Sequence, residues 1–137
     1  MKYEIQLKVG IGDIKFDMPI EDVVARCGEA DEVETIDNAT DETTTILRYA
    51  NGDITLFFEG ENPTLTCIDT CDGDLTLFGK ELFELTEKEI VQLMVANNYF
   101  EQDVDVEDWG ERRVTFNEAN VDFYFENDEL VSVLLGK

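Results

Sequence analysis

Ile54-Thr55-Leu56-Phe57-Phe58-Glu59 and Val121-Asp122-Phe123-Tyr124-Phe125-Glu126 carry one pattern, 67 residues apart. In each, every second residue is a large apolar one, the period of a strand with one buried face. Ile54, Leu56 and Phe58 share a face, and so do Val121, Phe123 and Phe125. The same offset lays Phe16-Asp17-Met18-Pro19-Ile20-Glu21-Asp22-Val23-Val24 on Phe83-Glu84-Leu85-Thr86-Glu87-Lys88-Glu89-Ile90-Val91. Gly12 falls on Gly79, Leu47 on Val114 and Tyr49 on Phe116. An offset shared without a gap from Gly12 to Glu59 reads as one structural unit used twice. The repeats span about 10–70 and 74–137 within a single domain, 1–137, which is long enough to bury a core.

Each unit opens on a short helix. Pro19 suits a first helical turn, Glu21 and Asp22 favour its positive end, and Gly28 suits its stop. Ile20, Val23, Val24 and Cys27 then fall on one face, which places Cys27 in the core. In the second unit Thr86 and Glu89 form a capping box ahead of Ile90, Val91, Leu93 and Met94. A hairpin follows in the first unit, Thr45–Tyr49 turning at Asn51-Gly52 into Asp53–Glu59, because Asn-Gly supports the tight turn that matches strand twist. Leu65 to Thr70 supplies a third strand. The second unit repeats this with 113–116, 121–126 and 130–135. Strand-like Tyr3–Val9 and Asp74–Phe78 precede the units. The expected fold is α+β: two tandem helix-plus-three-stranded antiparallel meanders in one domain, with the helices on one face of the sheet. Between helix and hairpin, 29–45 and 101–111 read as long acidic loops without a basic residue.

Charge is the compositional outlier, with 33 acidic and 10 basic residues, no histidine and a net −23. Residues 1–70 hold 16 acids against 5 bases (−11), and residues 71–137 hold 17 against 5 (−12), so the excess belongs to both repeats. Such a field repels nucleic acid and anionic membrane and attracts basic proteins. Lys15, Lys80 and Lys88 are scattered and assemble no nucleic-acid surface. No run approaches the ~20 apolar residues of a membrane span, and the N-terminus lacks an apolar signal region. Cys27, Cys67 and Cys71 suit a reducing compartment, and an extended chain holds Cys67 and Cys71 about 13 Å apart, beyond disulfide reach. The expected location is the cytosol.

Phe16-Asp17-Met18, the Glu21-Asp22-Val23-Val24 helix and the Cys27-Gly28-Glu29-Ala30 stop together resemble the repeat of the beta-lactamase inhibitor protein family. They are also similar to the small outer-membrane lipoproteins of the barrel-assembly machinery. Unlike those families, this chain has neither the lipoprotein cysteine nor the inhibitor's paired disulfides. The resemblance implies a tandem helix-on-sheet scaffold whose members bind other proteins. It implies no catalytic residue and no particular target.

Catalytic motifs are missing: no histidine serves as a general base, and no nucleophile elbow, phosphate-cradling loop or His-Glu metal motif occurs. Carboxylates are too numerous for any pair to single itself out. Asp69, Asp72 and Asp74 cluster around Gly73, but their register is not that of an EF-hand, and a polar Asp-Gly turn accounts for them. No metal or cofactor is expected. Trp109, the single tryptophan, sits among Asp105, Glu107, Asp108 and Glu111. It reads either as a lid folded over the core or as an exposed anchor ringed by carboxylates for a cationic protein. Arg112 and Arg113 stand close enough in sequence to neutralise those acids. Asp41 and Glu42 in the first unit's acidic stretch complete the candidate partner-binding residues. The functional expectation is a non-enzymatic acidic protein-binding module, specifically an immunity-type inhibitor of a basic toxin or nuclease. The alternatives are a housekeeping domain whose charge serves solubility and, against the missing motifs, a metal-binding or hydrolytic protein. Open strand edges leave self-association available.

Overall fold

In the computed structural model, residues 3–37, 43–49, 53–71 and 74–137 are described. The first half runs β1 (Tyr3–Gln6), β2 (Gly10–Ile11), β3 (Ile14–Lys15), α1 (Ile20–Cys27), β4 (Glu32–Asp37), β5 (Thr43–Tyr49), β6 (Ile54–Glu59) and β7 (Thr64–Thr70). The second runs β8 (Leu75–Leu77), β9 (Lys80–Glu81), α2 (Glu87–Ala96), β10 (Asp103–Val106), β11 (Arg112–Phe116), β12 (Val121–Glu126) and β13 (Glu129–Gly136).

The chain is mostly β. An eight-stranded sheet has the order β10-β11-β12-β13-β7-β6-β5-β4, and a five-stranded sheet the order β3-β2-β1-β8-β9. All neighbours in the larger sheet are antiparallel, and β13 joins β7 at its centre through Val133↔Thr70, Leu134↔Asp69, Leu135↔Ile68 and Gly136↔Cys67. In the smaller sheet β1 runs parallel to β8, pairing Tyr3 with Leu75 and Ile5 with Leu77.

This corrects the layout expected from sequence, two helix-plus-three-stranded meanders on a single sheet. Each helix leads into a fourth strand, β4 or β10, where a loop was expected, and a second sheet is present. The reason is positional. An edge strand buries little, so its residues need not be apolar, and β4 and β10 hide inside acidic runs. Their alternation was nonetheless visible in Asp103-Val104-Asp105-Val106 and Glu32-Val33-Glu34.

Side-chain rows cross the large sheet and explain its register. Phe116, Val121, Leu135, Ile68, Leu56 and Leu47 lie successively opposite one another, all buried. A second row runs from Val114 through Phe123, Val133 and Thr70. Slipping any strand by one residue would turn its row to solvent. Val23 of α1, Ile90 and Met94 of α2, and Ile5, Leu75 and Leu77 of the small sheet join the same buried cluster.

Local chemistry seats the helices. The Thr86–Glu89 capping box forms at the start of α2. Pro19 bridges to Thr64 and Thr86 to Glu129, so each helix begins against the strand that closes its own half. Gly28 ends α1 at φ 81°, and the Tyr49 hydroxyl donates to the Gly28 carbonyl at 2.9 Å. Cys27 is exposed, not a core residue, because α1 buries only Val23 completely. The Asn51-Gly52 turn lies outside the described residues. No described helix is long and apolar enough to cross a membrane.

Candidate functional site

β10 and β11 form a hairpin at one edge of the large sheet, with Asp103↔Thr115, Val104↔Val114, Asp105↔Arg113 and Val106↔Arg112 opposite each other. Its turn is closed by the Glu107 N–H donating to the Glu111 carbonyl at 2.8 Å and the Gly110 N–H to the Glu107 carbonyl at 2.9 Å. Gly110 sits at φ 95°, a conformation that favours glycine. Trp109 therefore rides the tip of the turn, and it is 71% exposed. The lid reading of this residue is thereby excluded, since a covered indole would lose most of its surface to the core.

The two arginines divide their work. Arg113 pairs with Asp105 across the hairpin. Arg112 reaches away from the turn and grips Glu87 of α2 with two bonds, 2.8 Å from Nε and 3.1 Å from a terminal nitrogen. Each guanidinium's acidity is weakened further, first by the hydrogen bond to its carboxylate and then by that carboxylate's charge. Asp103 accepts from the Asn117 amide at 2.7 Å, a neutral partner. Of the six acids between 101 and 111 only Asp105 has an ion pair among the described residues, and the Glu107, Asp108 and Glu111 side chains have no hydrogen bond either.

The sequence-derived residues thus separate into two groups. Trp109, Asp105, Glu107, Asp108 and Glu111 gather on one hairpin. Asp41 and Glu42 lie outside the described residues. Of the strands that flank them, β5 lies beside β4, and β4 is the opposite edge of the sheet, seven strand steps from β10. At about 4.8 Å per step that is roughly 34 Å along the sheet. Sequence reasoning missed the apolar half of the hairpin. Phe100 is 61%, Val104 45% and Val106 60% exposed, and together with Trp109 they place four exposed large hydrophobic residues within one ten-residue stretch. The available signal was the strict Asp-Val alternation.

Elsewhere, β7 brings Cys67 and Asp69 to the sheet face opposite the core, near Tyr124 of β12. Burial raises the Asp69 carboxyl, which has no hydrogen bond or ion pair among the described residues. The Cys67 thiol is pushed up to about 11 by burial first, then by the charges of Asp69 and Glu59. Tyr124 is raised by burial and by Asp122. A thiol so held stays protonated at neutral pH, which works against nucleophilic chemistry at this spot. Asp72 and Gly73 of the acidic turn lie outside the described residues. Among the described residues no three carboxylate or thiol side chains converge as metal ligands.

No protein-family model and no curated protein matches the chain. Among solved structures, it is similar to the crystal structure of the uncharacterized protein yfeY from Escherichia coli. The likeness covers 100% of both chains at 10% identity, with a TM-score of 0.61. At that identity the two share a fold.

Proposed function

We propose that this chain is a protein-binding module without catalytic chemistry of its own, and that the β10–β11 hairpin docks a basic protein. The observation that carries this reading is Trp109, 71% exposed on a turn whose neighbouring carboxylates, on Glu107, Asp108 and Glu111, have no cationic partner among the described residues. A tryptophan presents about 250 Å². Burying the uncovered part, on the order of 180 Å², is worth about 4.5 kcal/mol gross at ~25 cal/mol per Å². The net charge of −23 would steer a cationic protein toward any face, while the hairpin supplies the anchor that sets residence time. The specific form we favour is an immunity-type inhibitor that caps a basic toxin such as a nuclease. The likeness of Phe16–Ala30 to inhibitor-protein repeats supports that form. Three unbridged cysteines suit a cytosolic setting, where such a cap would act.

The test is capture on the immobilised chain, followed by purification of the retained protein and assay of its own activity with and without the chain. A basic protein should be retained, lose its activity, and bind about 30-fold more weakly to Trp109→Ala, as expected of an anchor worth ~2 kcal/mol. Retention that is unchanged by Trp109→Ala and by the triple variant Glu107→Gln, Asp108→Asn, Glu111→Gln would overturn the reading.

A further inference from the structure

Among the described residues β10 has a neighbouring strand on one side only. Because the Glu107 N–H bonds the Glu111 carbonyl, and hydrogen-bonded pairs alternate along an antiparallel ladder, Asp105 and Asp103 bond across to β11. Val104 and Val106 are then the residues whose N–H and C=O point out of the sheet. Their side chains lie on the core-side face, opposite buried Val114 and half-buried Arg112, yet remain exposed. Val104 extends the row of Val114, Phe123 and Val133 into solvent. Asp103 and Asp105 point to the other face.

We infer that the open edge of β10 receives an extended segment of the basic partner as a ninth, antiparallel strand, with cationic side chains opposite Asp103 and Asp105 and apolar ones opposite Val104 and Val106. This rests on the docking role proposed for the hairpin and specifies its chemistry. Backbone bonding supplies affinity and the alternation supplies selectivity. Charge chooses this edge over the other. On β4, Glu32 and Glu34 already share Arg48, at 3.7 and 2.9 Å. Around β10, Asp105 has Arg113, but Asp103 has only an amide, and Glu101, Glu107 and Asp108 are exposed with no ion pair among the described residues. Charge also disfavours a second copy of this chain, because an added β10 that kept the core-side faces continuous would set Asp103 opposite Asp105.

The geometry makes a directional prediction for an alternating lysine–valine heptapeptide and two N-methylated twins. The peptide's valines would face Val104 and Val106 as hydrogen-bonded pairs, and its lysine amides would point away from the sheet. Methylating the valine amides should weaken binding to the intact protein about tenfold or more, while methylating the lysine amides should leave it nearly unchanged. On binding the parent peptide, the Val104 and Val106 amides should gain protection from hydrogen exchange. Equal binding of the two twins would overturn the added strand. If that equal binding still weakened with Trp109→Ala, the docking hairpin would stand without it. A dimer of the protein alone that the peptide dissolves would also overturn the inference, since the edge would belong to a second copy.

Discussion

Trp109 is the single tryptophan, so its fluorescence reports one place on the surface, and collisional quenchers of opposite charge can measure the field there. The perturbation is the addition of caesium or of iodide. Three carboxylates without an ion pair among the described residues, on Glu107, Asp108 and Glu111, lie within two residues of the indole, on the order of 7 Å along the chain. In water each contributes about 0.6 kcal/mol at that range, or about 1.8 kcal/mol together. A Debye length of about 10 Å at 0.1 M salt halves this to about 0.9 kcal/mol. Caesium is then enriched about 4.5-fold and iodide depleted about 4.5-fold, so their quenching constants should diverge by roughly 20-fold relative to a neutral indole standard. At 1 M salt, with a Debye length of about 3 Å, the divergence should shrink to about twofold. The triple neutralising variant should collapse it at low salt as well. A caesium-to-iodide ratio equal to that of the free standard at 0.1 M would show that the carboxylates are neutralised. Resistance to both quenchers would show a covered indole. Either result refutes the docking site as built here.

Other measurements probe the scaffold. Phe123 is 0% exposed, meeting Phe116 edge to face at 6.1 Å and Phe125 at 6.5 Å. Phe123→Ala should cost about 3–5 kcal/mol in urea unfolding, and Trp109→Ala no more than about 1 kcal/mol. Comparable losses would refute the assignment of one to the core and the other to the surface. Burial raises the Asp69 carboxyl in the folded state, so the fold favours its protonated form. That contribution is full below the unfolded carboxyl's pKa of about 3.9 and is lost as pH rises through the higher folded value. Asp69→Asn should therefore be more stable than the parent at pH 7, with a gap that closes on acidification. A gap independent of pH would count against the assignment. With Cys67 pushed up to about 11 by burial and neighbouring acids, iodoacetamide near pH 8 should modify Cys27 and Cys71 first. Peptide mapping that finds Cys67 labelled as fast as the others would contradict its placement.

The hairpin shows how a stability device and a recognition device occupy the same few residues. Arg112 spends its charge on Glu87, locking the last strand pair before the turn to the first turn of α2, and Arg113 spends its own on Asp105. Neither reaches the turn. The tip stays acidic because its cations are committed below it, which keeps Trp109 in a negative setting without a flexible loop.

Much of this was legible locally. Alternation at Ile54–Glu59 and Val121–Glu126 specified two strands and their buried faces, because strand period is a property of the backbone alone. Thr86 and Glu89 announced a helix start through bonds only three residues long. Composition established the acidic field and the lack of histidine chemistry. The pairing of β7 with β13 and of β1 with β8 joins segments more than 60 residues apart, and it follows from which rows complete a shared core. No local period carries that information. The fourth strands were hidden for the same reason, since an edge is defined by the missing neighbour and not by its own residues. Tertiary structure alone decided which acids kept their charge unpaired. Arg112 could have turned to Glu111 beside it, but the fold brought Glu87 to within 2.8 Å, and the geometry of two bonds outweighed nearness in sequence.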